Sequence, residues 1–209
     1  YNIKRNLFII SFSTILVLLF FYFIKIENFI IYFVLILSLY LIFQNIFHFL
    51  TNIKKNYPNY FYSDFPRTLS HLSFGLLIFF ISINSIFSVQ YDLNLKVGET
   101  KKINNFEIEL KNLNVFSEKN YKKFVGNVII LDHIKNDKEI LKPEIRIYNQ
   151  PETLTYEASI KSNLFSDTYV TMSNVSGSDF YNIKFQNKPF MNLIWFSVIL
   201  MSFGGLIRV

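Results

Sequence analysis

Apolar and polar positions follow two regimes along this chain. Four windows, Asn6 to Ile24, Phe29 to Ile53, Thr68 to Gln90 and Pro189 to Ile207, contain no Asp, Glu, Lys or Arg. Each is close to the ~20 apolar residues that cross a hydrocarbon core, which predicts four membrane-spanning helices and excludes a single soluble globule. Between the third and fourth windows the period changes to two. Tyr91, Leu93, Leu95 and Val97 alternate with Asp92, Asn94 and Lys96, and Phe106, Ile108 and Leu110 alternate with Glu107, Glu109 and Lys111. Tyr181, Ile183 and Phe185 repeat the pattern, Val125 to Leu131 is a further short apolar run, and Lys135-Asn136-Asp137-Lys138 reads as a turn. Several short strands in about 100 residues predict a small antiparallel sandwich or barrel. Thr155 to Ser162 is expected to be a short helix or irregular loop.

The expected fold class is therefore an integral membrane protein, α-helical with about four transmembrane helices, carrying a small all-β domain. Residues 1–67 would hold two spans and an inner loop, 68–89 a third helix, 90–188 the β domain and 189–209 a closing helix. Charge supports this division. The chain of 209 residues carries a net charge of +6, with 17% charged and 19% aromatic residues. From Gln90 to Lys188 there are 14 basic and 13 acidic side chains, leaving 7 basic and 2 acidic for the segments flanking the spans. The basicity is membrane-flanking and does not form a nucleic-acid face.

Lys4 and Arg5 precede the first window, Lys25 and Glu27 follow it, and Lys54, Lys55 and Arg67 lie between the second and third. The positive-inside rule puts those loops in the cytoplasm, delivers residues 90–188 to the opposite side and returns Arg208 to the inside. Pro58, Pro66 and the aromatic group Tyr57, Tyr60, Phe61 and Tyr62 suit an interfacial loop. No small-residue cleavage site follows Ile24, so the first window reads as a retained span and not a signal peptide. The sequence opens at Tyr1, and upstream partners are expected.

With no cysteine there is no disulfide framework, thiolate metal site or thiol nucleophile. Within the windows the ionisable candidates are His48 and His71, and a polar group in hydrocarbon is costly enough to mark each for function. His48 lies near the end of its window beside Gln44 and Asn45, where it can reach the interface. His71 follows Thr68-Leu69-Ser70 and shares a helical face with Gly75, Ser82 and Ser85, a small-residue stripe that suits close helix approach. Such a histidine can form an interhelical hydrogen bond, relay protons or ligate a metal or haem. His133, between Asp132 and Ile134, reads as part of a solvated turn, since calcium-loop spacing is absent. Gly204-Gly205 reads as a helix-packing pair.

Taken in order, Ser70-His71-Leu72, Asn84 to Val89, Tyr91 to Glu99, Glu144 to Tyr148, Thr155 to Ile160, Asp167 to Val170 and Lys188-Pro189-Phe190 through Ile194-Trp195 to Gly204-Gly205 resemble the closing sequence of the CcmF family, the haem lyase subunits of cytochrome c maturation. The resemblance covers roughly residues 66 to 209, and residues 1 to 65 agree in pattern only. It implies a component of the lyase complex that helps transfer haem and attach it covalently to apocytochrome c. It also implies a multi-pass protein of the bacterial inner membrane, or of the mitochondrial one, with its β domain facing the periplasm. His71 falls on a family histidine that is an axial ligand of a membrane haem b. The second ligand, the tryptophan-rich haem-handling segment and the periplasmic haem histidines would lie upstream, because Trp195 is the sole tryptophan here. The chain would thus be a C-terminal fragment or subunit, not active alone. Its partners would be the N-terminal part of the lyase, other maturation subunits, a haem chaperone and apocytochrome c. Ser73 stands where the family tends to have glycine, and Glu157 and Tyr169 lie in the matched motifs. Two other readings compete: a membrane-anchored module that recruits partners without haem, and a subunit of a haem or small-molecule exporter.

Overall fold

A computed structural model describes residues 3–24, 28–54, 64–134 and 136–207. Lys25, Glu27, Lys55, Pro58, Tyr57, Tyr60, Phe61, Tyr62, Lys135 and Arg208 lie outside the described residues. The chain divides into two units, residues 1–87 with 189–209, and residues 88–188.

The first unit is helical: α1 Ile3–Ile24, α2 Phe29–Lys54, α3 Phe65–Phe87 and α4 Met191–Ile207. The first three are long and apolar enough to cross a membrane, while α4 is a shorter apolar helix of 17 residues. In hydrocarbon every backbone polar group needs an internal partner, which a helix supplies without outside help. Hydroxyls in these segments also turn back onto their own helix, as Ser13 onto the Ile9 carbonyl at 2.9 Å, Ser82 onto Ile78 at 2.8 Å and Ser197 onto Leu193 at 2.8 Å. Asn28 caps α2 by accepting the Ile30 N–H at 3.1 Å. Tyr22 and Phe23 are 79% and 78% exposed, a surface that hydrocarbon tolerates and water does not.

Helix α3 packs closely on two sides through glycine. A Cβ built on Gly75 would stand 3.1 to 3.3 Å from Ile42 and Leu41 of α2. A Cβ on Gly204 of α4 would collide with the Ser70 hydroxyl and come within 2.9 Å of the Pro66 carbonyl. Of the glycine pair only Gly204 serves this packing, since Gly205 faces open space. Val17, Phe21, Leu35 and Ile83 form the apolar center of this unit, with Phe21 and Tyr32 rings 3.6 Å apart.

The second unit is an antiparallel β-sandwich. Its strands are β1 Val89–Leu95, β2 Thr100–Ile103, β3 Phe106–Ser117, β4 Tyr121–Asp132, β5 Asp137–Leu141, β6 Glu144–Asn149, β7 Glu152–Glu157, β8 Ser159–Ser162, β9 Ser166–Asn174 and β10 Tyr181–Pro189. One sheet runs β1-β10-β9-β8; the other runs β2-β3-β4-β6-β7, with β5 also paired to β4. The register opposes Leu93 to Ile183, Ile108 to Ile130 and Leu110 to Val128, aligning the inward positions of each pair. Together with Leu95, Val170, Met172 and Phe185 they make a core with almost no exposure. A bulge between Leu110 and Asn112 shifts the long β3–β4 hairpin. Gly98, at φ +85°, turns the chain between β1 and β2, a conformation a side chain resists.

The segment from Thr155 to Ser162 corrects the expectation of a short helix or loop. It forms β7 and β8, broken only at Ala158, and pairs Tyr156 with Ile145 and Ile160 with Tyr169. Leu154, Tyr156 and Ile160 are about half exposed, so these edge strands lack the apolar-in alternation of the central ones. Backbone pairing to a neighbor already in place decides their state.

The two glycines of α4 give an internal control. Gly204→Ala is expected to destabilise the helical unit by about 1–3 kcal/mol, because the backbone at Pro66 and Ser70 leaves no room. Gly205→Ala should be neutral or slightly stabilising. Unfolding in detergent followed by circular dichroism measures both, and equal effects would contradict the packing described.

Candidate functional site

Helices α2 and α3 run antiparallel, and above the Gly75 contact their facing positions turn polar. Gln44, Asn45 and His48 of α2 meet Arg67, Thr68 and His71 of α3 around an open cleft of about 270 Å³. Spacings of three and four residues put each set on one helix face. Asp64 and Pro66 start α3, where proline in the first turn removes no intrahelical bond.

The two histidines differ in how their nitrogens are used. The Thr68 hydroxyl donates to the Asp64 carbonyl at 2.8 Å, so its oxygen is left to accept from His48 Nδ1–H at 3.2 Å. Asn52 Nδ2 lies 3.1 Å from His48 Nε2 and 3.3 Å from Nδ1, and in the tautomer that puts the proton on Nδ1 it donates to Nε2. Both nitrogens of His48 are thus engaged, and the ring ties α2 to α3. His71 is exposed and makes no hydrogen bond among the described residues. Gln44 Oε1 is buried without a donor, and Asn45 Nδ2 is turned onto the Leu41 carbonyl at 2.8 Å. Arg67 meets Asp64 at 2.7 Å with its side chain half exposed.

The small-residue stripe is only partly a packed face. Gly75 and Ser82 are buried, but Ser85 and His71 are exposed. Ser73 is fully buried on the opposite side of α3, with its hydroxyl on the Leu69 carbonyl at 2.7 Å. It therefore does not narrow the approach to His71. Haem iron takes neutral imidazole nitrogen as an axial ligand. His71, with an unpartnered ring lining an open cleft, fits that donor role, and His48 does not. Sequence reasoning missed the joint role of Gln44, Asn45, Arg67 and Thr68. The available signal was the i,i+4 pairing of Gln44 with His48 and of Arg67 with His71 on consecutive helices.

In the β-sandwich, Tyr169 donates to Asp167 Oδ2 at 3.2 Å and its ring lies 5.0 Å from Lys188 Nζ. Asp167 is 4% exposed, and its Oδ1 has no partner among the described residues. Burial, and then the charge and hydrogen bond of Asp167, hold the Tyr169 phenol above its ordinary range. Glu157 lies 3.9 Å from Arg146, whose guanidinium is bound more closely by Glu144 at 2.8 Å. These contacts make Glu157 a member of an ion-pair ladder on the sheet. His133 sits in a turn 3.1 Å from Glu107, and no group of three or more metal-ligating side chains occurs among the described residues. Trp195 is 59% exposed on α4.

Residues 86–189 match the family described as the CcmF C-terminal β-sandwich. The chain is a relative of CcmF's C-terminal part. It is 27% identical over 157 residues to the cytochrome c-type biogenesis protein CcmF of Pseudomonas fluorescens, covering 74% of this chain and 23% of that protein. It is 29% identical over 140 residues to CcmF of Pseudomonas aeruginosa, covering 66% and 21%, and 23% identical over 146 residues to CcmF of Escherichia coli, covering 70% and 22%. The chain thus spans about a fifth of the length of these relatives. A solved structure titled cytochrome c heme lyase CcmF shares the fold, with a TM-score of 0.69 at 14% identity over 100% of this chain and 34% of that one.

The phenol shift generates a prediction. A group whose folded pKa is raised holds its proton where the unfolded chain has lost it, so its contribution is intact below about pH 10 and fades as pH rises through the higher folded value. In a spectrophotometric titration near 295 nm, subtracting Tyr169→Phe from the native protein should isolate one phenol ionising above the usual range. A difference transition centered at pH 10 or below would contradict the burial and Asp167 contact.

Proposed function

We propose that this chain acts in cytochrome c maturation as the C-terminal part of a haem lyase, helping to transfer haem and attach it covalently to apocytochrome c, with His71 as an axial ligand of a membrane b-type haem. One observation carries the reading to a residue: His71 is a ring without hydrogen bonds among the described residues, in a helix that carries no charge beyond Arg67, and it lines an open cleft in a chain similar to CcmF. A polar side chain kept in hydrocarbon without a partner is costly unless a ligand repays it.

When bound, the haem supplies one-electron redox chemistry within the membrane. The chain's own residues do the holding. His71 provides a neutral nitrogen, and the hydrogen-bonded series Asn52, His48, Thr68 and Asp64 fixes the cleft wall. Gly75 and Gly204 keep α3 from shifting. A second nitrogen donor would be supplied by an upstream segment or a partner chain. The protein is a multi-pass component of the bacterial inner membrane with residues 88–188 in the periplasm, where the sandwich braces the site and meets the haem chaperone and apocytochrome.

The test is the reduced-minus-oxidised visible spectrum of the detergent-purified protein with its upstream partner. His71→Ala should lower the low-spin b-type signal by about tenfold or more, since even outer-shell changes at metal sites cost 10–100-fold. His48→Ala should keep most of it. An unchanged spectrum in His71→Ala, with assembly intact by size exclusion, would overturn the reading and favor a partner-recruiting module without haem.

A further inference from the structure

The cleft contains more than a ligand for iron. Arg67 and His71 are four residues apart, one turn or roughly 6 Å along α3, and line the same opening. Arg67 is the charged side chain among the cleft's lining residues. Its Nη2 meets Asp64 Oδ1, which leaves most of the guanidinium fork open, and half of the side chain is exposed. Across the cleft from His71, Gln44 Oε1 is buried without a donor among the described residues, so the polar wall of the cleft is incomplete as it stands. In the other direction α3 carries no charged residue from Thr68 onward, and the wall closes at Gly75 against Ile42.

We propose that Arg67 is a carboxylate-reading residue of this cleft, so that a tetrapyrrole ligated by His71 lies with its carboxylate side arms toward the first turn of α3 and its ring toward Gly75. The proposal rests on His71 being the axial ligand. A planar amphiphile in a helix layer places its charged edge where a cation and water meet it, and its apolar ring where charge is absent. Guanidinium binds carboxylate through two parallel N–H donors, a geometry lysine cannot copy. The free fork of Arg67 offers this pairing while Asp64 orients it from behind, and a water bridging to the carboxylate supplies the donor that Gln44 Oε1 lacks. Arg67 is thus a specificity residue for the side arms, separate from the bond to iron.

The test compares two probes, iron protoporphyrin IX and its dimethyl ester, which keeps the ring and iron but loses both carboxylates. Each is titrated into haem-depleted full-length protein in detergent and read from the low-spin visible spectrum. The native protein should bind the free acid about tenfold or more tightly than the ester. Arg67→Gln should reduce that preference to about twofold or less while the low-spin spectrum persists, and Arg67→Lys should fall between. Asp64→Asn, which frees the fork, should widen the preference and serves if Arg67→Gln fails to assemble. A preference unchanged in Arg67→Gln, or unchanged or narrowed in Asp64→Asn, overturns the proposal and leaves His71 as ligand. A low-spin spectrum that survives His71→Ala overturns both.

Discussion

Helix α3 depends on two glycines, one on its own surface and one on its neighbor's. Between helices in lipid there is little hydrophobic driving force, so association relies on close van der Waals packing that small residues permit. Gly75 admits Ile42 and Leu41 on one side, and Gly204 admits the Pro66 and Ser70 backbone on the other. With α3 held there, its first turns cannot drift, and the polar positions that begin one turn from Gly75 face those of α2.

The contrast between the two histidines follows from that placement. His48 comes level with Thr68, whose hydroxyl proton is already committed to Asp64, and the ring is left to donate through Nδ1. Asn52, one turn further along α2, takes the other nitrogen. His71 comes level with Gln44 and Asn45, whose amides are not directed at it, since one bonds its own helix and the other has a buried unpaired oxygen. One histidine becomes part of the scaffold, and the other is left with lone-pair chemistry to offer. Electrostatics divides the chain in the same way, with the sandwich balancing its charges in surface ladders such as Glu144, Arg146 and Glu157.

Much of the fold was legible where one face of an element is buried and the other is wet. Leu93 and Leu95, Ile108 and Leu110, and Ile183 and Phe185 announce β1, β3 and β10 because their neighbors in sequence are polar and their own side chains reach the core. Strands β7 and β8 carry a short alternation of Leu154, Tyr156 and Ile160 with polar neighbors, but those side chains stay half exposed, so the pattern marks no buried face and the edge pairing decides their state. In β9 the buried trio Ser166, Asp167 and Thr168 is polar and mimics a loop. His71 stood out as an ionisable residue in a charge-free run, and its resemblance to a family histidine pointed the same way. The cleft did not stand out. Arg67 read as a topological charge and His48 as an interfacial side chain, because the contacts that give them other roles run between helices.

Of the two cleft histidines, His71 alone keeps a nitrogen without a hydrogen bond among the described residues. Carbethoxylation of histidines in the haem-depleted protein, mapped by peptide mass spectrometry before and after haem is restored, tests it directly. His71 should be modified while His48 is spared, and restored haem should protect His71. Modification of His48 ahead of His71, or a His71 that stays reactive with haem bound, would contradict it.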